Sequence, residues 1–221
     1  FYARVSDSEP ISLSEAVSFI WIGQALLQLL PWSLDKEIEG QIKSGDVAYE
    51  LIRPLHLYGL CFVRSLAMRL IPTLMRCIPI FIIGGWLLGL KAPVSWEAGI
   101  AFLFSVIFAL LLSTSITTIV IISLFWTLSG EGIQRLLPHC AALFSGMVVP
   151  LPLFPSWAQS FLNVQPFRGV MDIPCRLYTG IIPTSNALYY LGFQLVWSAV
   201  FIIGGHFLTK RALRQFAIQG G

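Results

Sequence analysis

The chain has 221 residues, of which 56% are hydrophobic and 11% charged, with a net charge of +3 and a mean hydropathy of +0.78. An ordinary soluble domain carries about 25% charged residues, so a water-soluble globule is excluded and most of the surface is expected to face lipid. The basic residues are scattered without a dense Lys/Arg block, which excludes a nucleic-acid partner, and Cys61, Cys77, Cys140 and Cys175 show neither CxxC nor metal-ligand spacing.

In chain order, residues 1–10 are polar and 11–32 form a first candidate span, interrupted by Glu15, Gln24 and Gln28. A polar island follows at 35–55. Residues 56–90 predict a helix whose first half carries Arg64, Arg69 and Arg76. These are expected to snorkel toward headgroups before the helix enters lipid, with Arg76 at the headgroup level. After a turn at 91–97 ("KAPVSWE"), residues 98–127 are uncharged. At 1.5 Å per residue they make about 45 Å of helix, longer than a ~30 Å hydrocarbon layer, so this helix must tilt or protrude. Residues 128–135 are a polar break, and 136–149 are too short to cross unless 133–137 extend them. Pro150, Pro152, Pro155, Pro166, Pro174 and Pro183 then forbid one continuous helix, predicting broken helices at one membrane face over 150–185. Residues 186–208 form a final span. The expectation is one all-α polytopic transmembrane helical bundle over 1–221, with five spans visible.

If the island, the 128–135 break and the C-terminal segment share a side, that side holds Lys36, Lys43, Arg53, Arg64, Arg69, Arg76, Arg135, Lys210, Arg211 and Arg214, against Arg4, Lys91, Arg168 and Arg176 opposite. The asymmetry predicts a cytoplasmic island by the positive-inside rule.

Within the island, Ile38 and Ile42 are four apart, as are Val47 and Leu51, with Ile52 and Leu55 extending the second stripe. This pattern predicts two short amphipathic helical pieces either side of Ser44-Gly45, the second capped by Asp46 and limited by Pro54. Glu39 and Lys43 stand in the favourable i,i+4 order. The acids Asp35, Glu37, Glu39 and Asp46 outnumber Lys36 and Lys43 in this part, which suits a soluble protein partner better than an anionic lipid surface. Lys43-Ser44 resembles the end of a phosphate-binding loop, but Ile42 occupies the required glycine position. His56, His139 and His206 form no HExxH, and neither Ser129 nor Ser145 sits in a GxSxG elbow. No catalytic constellation and no resident cofactor are expected.

Ser113, Thr114, Ser115, Thr117 and Thr118 cluster mid-span. Two roles are open: Ser113, Ser115, Thr117 and Thr118 line a polar pathway, or the hydroxyls bond their own i−4 carbonyls and a neighbouring helix. Pro150, Pro152, Phe154, Pro155 and Trp157 form either an outer gate or a rigid interfacial cap. Gly85 and Gly89 have GxxxG spacing, which carries little weight alone.

The run "GQALLQLLPW", the acid-rich turn followed by "IKSGDVAYELIRPL", the later "FSGMVVPLPLFPSWAQSFLNVQPF", and "FQLVW" closing on "RQFAIQGG" together resemble the integral-membrane subunits of ABC-2 type exporters, over nearly the whole chain. The resemblance implies an ABC-2, or type V exporter-like, transmembrane domain of six helices with both termini cytoplasmic. With five visible here, a first helix is expected to be absent from this sequence. It further implies that 34–56 is a coupling segment docking on a separate ATPase subunit through Asp35, Glu37, Glu39, Gly40, Ile42, Gly45, Asp46, Glu50, Arg53 and Pro54, with ATP and Mg²⁺ bound by that partner. A second permease subunit, identical or related, completes the assembly. The expected function is outward movement of an amphipathic or hydrophobic substrate across a bacterial inner membrane. The competing expectation is a protein not driven by ATP, a secondary transporter or an assembly scaffold. Against it stand the lack of an internal repeat and the uncharged 98–127 span.

Overall fold

The computed structural model describes residues 13–32, 34–44, 56–87, 89–127 and 131–219. Among them the regular elements are all helical: α1 (Leu13–Ala25), α2 (Lys36–Ser44), α3 (Leu57–Leu87), α4 (Trp96–Thr127), α5 (Glu131–Phe144), α6 (Ser156–Val164), α7 (Asp172–Thr179) and α8 (Ala187–Gln219). Short 3-10 turns lie at Leu27–Leu29, Leu151–Leu153, Pro166–Gly169 and Thr184–Asn186. Three stretches are long and apolar enough to cross a membrane: Leu57–Leu87, Trp96–Phe125 and Thr184–Arg214. Of the five spans expected, these three meet that criterion among the described residues. α1 and α5 have 13 and 14 residues, about 20 Å each, short of a hydrocarbon layer.

The first helix ends earlier than its apolar run, and the 3-10 turn that follows it stops where Pro31 holds Leu30 extended (φ −66°, ψ 146°). Helix ends leave carbonyls unpaired, and here neighbouring side chains take them. Arg76 Nε donates to Gln24 O at 2.6 Å, Cys77 Sγ to Ala25 O at 3.4 Å, and Ser113 Oγ to Leu29 O.

α4 is apolar on all sides and accordingly runs through the middle, packed against α3, α7 and α8. Of its most apolar window 61% is buried, against 11% and 17% for the windows in α3 and α8, so those two form the outer wall. Leu34 and Ile38 pack with Leu57 and Cys61 at the start of α3, Leu124 and Phe125 at the end of α4, and Ala212 late in α8. Ala101 at the start of α4 packs instead with Ile173 and Leu177 of α7, Ile182, and Ala187 at the start of α8. α2 and the late part of α8 therefore share one end of the molecule, and α7 packs with the starts of α4 and α8 at the other. α8 continues well past the expected end near 208, since nothing in "TKRALRQ" breaks a helix and Ala212 is buried at this end.

Between 150 and 185, Pro150, Pro155, Pro166 and Pro183 stand at the starts of successive short helices, whereas Pro174 lies inside α7. α7 is closed by Gly180 in the left-handed conformation (φ +79°), where an added Cβ would come within 2.8 Å of Val94. The polar residues of "NVQPF" hold the corner together: Gln165 Nε2 donates to Phe144 O at 2.7 Å, its Oε1 accepts from Phe167 N at 2.7 Å, and Arg168 Nη1 donates to Asn163 O and Oδ1, both at 2.9 Å.

Candidate functional site

The candidate site is the end of the molecule that carries α2. Asp35 caps this helix: its Oδ1 accepts from the backbone N–H groups of Glu37 at 3.0 Å and Ile38 at 3.4 Å. Its Oδ2 accepts from Arg64 Nε of α3 at 2.7 Å, and Arg64 Nη2 also pairs with Glu37 Oε2. Leu34 and Ile38 enter the apolar cluster beneath. α2 is thus fastened at its start by a cap and a forked ion pair and along its inner side by hydrophobic burial. Lys36, Glu37, Gly40 and Ser44 are exposed, and among the described residues outside its own helical turn nothing lies within 4 Å of a Cβ built on Gly40.

The residues expected to couple to an ATPase therefore divide. Asp35 is buried (6% exposed) and acts as an anchor. Glu37 is exposed yet tied to Arg64, Glu39 is half-buried, and Gly40 stands on the open side. Ile42 belongs to α2. Gly45, Asp46, Glu50, Arg53 and Pro54, with the second amphipathic piece, lie outside the described residues.

Arg64 is the first of three arginines of α3: it and Arg76 bond the chain before that helix, and Arg69 bonds α4. The expectation that they snorkel is corrected for Arg69, which is 4% exposed. Its Nε donates to Ser113 Oγ at 3.0 Å, its Nη2 to Thr117 Oγ1, and its Nη1 to Ser65 O at 3.0 Å. Arg76, placed at the headgroups by the sequence reading, is half-buried against α1, with Nη2 on Gln24 Oε1 at 3.1 Å beside the bond to Gln24 O. The physical reason for Arg69 is that a guanidinium with backbone and hydroxyl acceptors in reach loses less by staying among them than by stretching to a headgroup. Successive arginines thus grip α2, then the Ser113/Thr117 node that holds Leu29, then the end of α1.

The hydroxyl cluster of α4 is buried throughout. Ser115 donates to Leu112 O at 2.7 Å, Thr117 to Ser113 O at 3.0 Å and Thr118 to Thr114 O at 2.8 Å. At the opposite end, Pro150, Pro152 and Phe154 are half-buried and Pro155 and Trp157 exposed. The carbonyls of Leu151 and Phe154 are taken by Gln159 Nε2 at 2.8 and 3.0 Å, folding this turn onto α6.

Two groupings escaped the sequence reading. Gln194, fully buried in α8, donates to Ser105 O at 3.0 Å and Gly169 O at 2.7 Å and accepts from Ser105 Oγ at 3.1 Å, joining α4, α8 and the outer corner. It is the Gln of "FQLVW", and an amide in the middle of an apolar run was its signal. Asp172 is fully buried between Arg168 (3.7 Å) and Arg176 (3.4 Å), while Arg168 lies over the rings of Tyr190 and Phe193. Burial pushes the Asp172 carboxyl up, and the two guanidiniums offset part of that. Among the described residues no group of three or more His, Cys, Asp or Glu could hold a metal ion.

A family model described as ABC-2 family transporter protein matches residues 9–220. No curated protein and no solved structure matches. The match takes in the anchored helix, the arginines of α3 and the proline-broken corner alike, and the chain belongs to the ABC-2 family of transporter membrane proteins.

Proposed function

We propose that this chain is the membrane subunit of an ATP-driven exporter and that α2 is the surface on which a separate ATPase subunit docks. The observation that carries the reading is the mounting of α2: a nine-residue helix capped, ion-paired and packed onto α3, α4 and α8, yet with Lys36, Gly40 and Ser44 outward. A connecting loop needs no such mounting, whereas a surface that must pass a displacement to membrane helices does. Gly45, Asp46, Glu50, Arg53 and Pro54 enter the proposal as the continuation of that surface. In this reading Arg64 passes motion of α2 to α3, and Arg69 passes it to α4 through Ser113 and Thr117. The hydroxyl bonds favour this packing role over pathway lining for Ser113, Ser115, Thr117 and Thr118.

Two such subunits, identical or related, would work with two ATPases that bind ATP and Mg²⁺. The α2 end would be cytoplasmic in a bacterial inner membrane, and the 150–157 turn would form the outer rim and gate. The cargo would be amphipathic or hydrophobic and would leave by alternating access. Arg69 gives the non-ATP-driven reading something the sequence did not, an ionisable group inside a span, but its acceptors are all neutral and supply no carboxylate to carry a proton or ion.

The test is co-purification with a cassette ATPase encoded beside the chain. The native protein should retain it and alter its ATP turnover, and Gly40→Trp, which meets open space among the described residues, should lose both. Full retention by Gly40→Trp would remove α2 from the mechanism. Failure of the native chain to bind would remove the ATP-driven reading altogether.

A further inference from the structure

At the end of the molecule away from α2, a cavity of about 580 Å³ opens between the second half of α3, the first turns of α4 and α7. Its inner wall is Phe81, Phe102 and Tyr178, whose rings pack edge-on or tilted at centroid distances of 5.0 to 6.1 Å. Its mouth is formed by Trp96, Ile100 and Leu103 of α4.

Two facts define what fits. The lining is almost wholly apolar: Tyr178 Oη is engaged, donating to Lys91 O at 2.9 Å, and Ser95 Oγ, which accepts from Ala98 N at 3.1 Å, has only its O–H left to offer. A polar ligand would lose its hydration with nothing in return. The mouth also lies on the face of α4 where Leu103, Phe104 and Ile107 are exposed, the face that a spanning helix turns to hydrocarbon. Trp86 and Trp96, 90% and 82% exposed, mark the boundary where aromatic residues anchor in headgroups. Lys91 and Glu97, which flank the lining residues Pro93, Ser95 and Trp96 in the chain, are exposed, so a cation and a carboxylate adjoin the lining while the interior is dry. The volume falls in the 300–1,000 Å³ range of small-molecule sites, and Trp96 to Leu103 gives about 10 Å of depth along the helix.

We propose that this cavity is a lateral binding site for one acyl chain of a membrane phospholipid, the chain lying against Phe102 and Tyr178 and the headgroup staying at Lys91 and Glu97. The site is separate from α2 and does not depend on an ATPase partner.

The experiment uses the full chain in nanodiscs of phosphatidylcholine carrying a photoreactive diazirine on one acyl chain, without ATP, with adducts mapped by mass spectrometry. Phe102 and Tyr178 are 7% and 6% exposed, out of reach of lipid that merely surrounds the protein, whereas Trp86 is in its reach. Adducts are expected at Phe102 or Tyr178 as well as at Trp86. Gly99→Leu places its side chain in the cavity, with its Cβ meeting Pro93 at 3.5 Å, an ordinary contact. This variant should reduce the inner-wall adducts about tenfold and leave those at Trp86 unchanged. Leu103→Trp, at an exposed position, provides a second obstruction that leaves the packing behind it intact and should act in the same direction. Adducts confined to exposed residues, or inner-wall adducts indifferent to both variants, would overturn the site. Protection of Trp96 and Leu103 from all labelling would show that another protein surface covers the mouth and would also overturn it.

Discussion

A guanidinium inside a membrane helix costs about 2.5–3.5 kcal/mol when its donors go unanswered. Arg69 answers its own with two hydroxyls and a carbonyl, while Arg64 is committed to two carboxylates, one of them buried. The two should therefore respond unequally to truncation. Arg64→Met strands the buried Asp35 carboxylate and should cost about 1–3 kcal/mol, less than a fully buried pair because Arg64 is a third exposed. Arg69→Met strands no charge, and Ser113 and Thr117 keep their bonds to Leu29 O and Ser113 O, so its cost should stay below about 1 kcal/mol. Thermal unfolding of the two variants in detergent checks the order. Gly205 supplies a steric counterpart: a Cβ there would lie 2.5 Å from Tyr58 Cε2 and 3.2 Å from Ile119 Cγ1, and Tyr58 is held by the His206 ring at 4.0 Å. Gly205→Ala should lose about 1–3 kcal/mol through overpacking, read as a lowered Tm.

At the scale of the element, α3 is built inside out. Cys61, Ser65, Arg69 and Thr73 recur every four residues and are buried, with half-buried Arg76 and Cys77 continuing the stripe, while Val63, Ile71, Leu74, Met75 and Ile78 face outward. That stripe was present in the sequence, but weighing each arginine by its distance from water instead of by its helical face hid it. The length and type of α3, α4 and α8 were legible because long apolar periodicity has few alternatives. The early end of α1 was not, since Arg76, Cys77 and Ser113, all distant in sequence, stabilise its break. α2 was half legible: the apolar spacing led to Ile38, but Asp35 read as an outward acid because its partner, Arg64, lies 29 residues away. The inverted stripe makes a paired prediction. Among the described residues Thr73 Oγ1 is buried without a hydrogen-bond partner, so Thr73→Val should stabilise by about 1 kcal/mol, whereas Met75→Lys, at a position 70% exposed, should cost about 2.5 kcal/mol or more if that side faces lipid. Unfolding midpoints in bicelles would show the two signs.

For the whole molecule, the two ends have different characters. One gathers α2, the start of α3, the end of α4 and the late part of α8 around a cluster capped by an exposed charged helix. The other holds short proline-divided helices, knitted by Gln165, Arg168 and Asp172. Between them α4 carries bonds to both, through Arg69 toward α2 and through Gln194 toward the outer corner. The central claim, that force enters at α2 from an ATPase in the cytoplasm, is tested most directly by a cysteine at Gly40. In intact cells it should resist membrane-impermeant maleimide, and in inverted vesicles a short bifunctional reagent should cross-link it to the ATPase. Labelling of Gly40→Cys from outside the cell, or a cysteine that reacts freely in inverted vesicles but never joins the ATPase, would contradict the account.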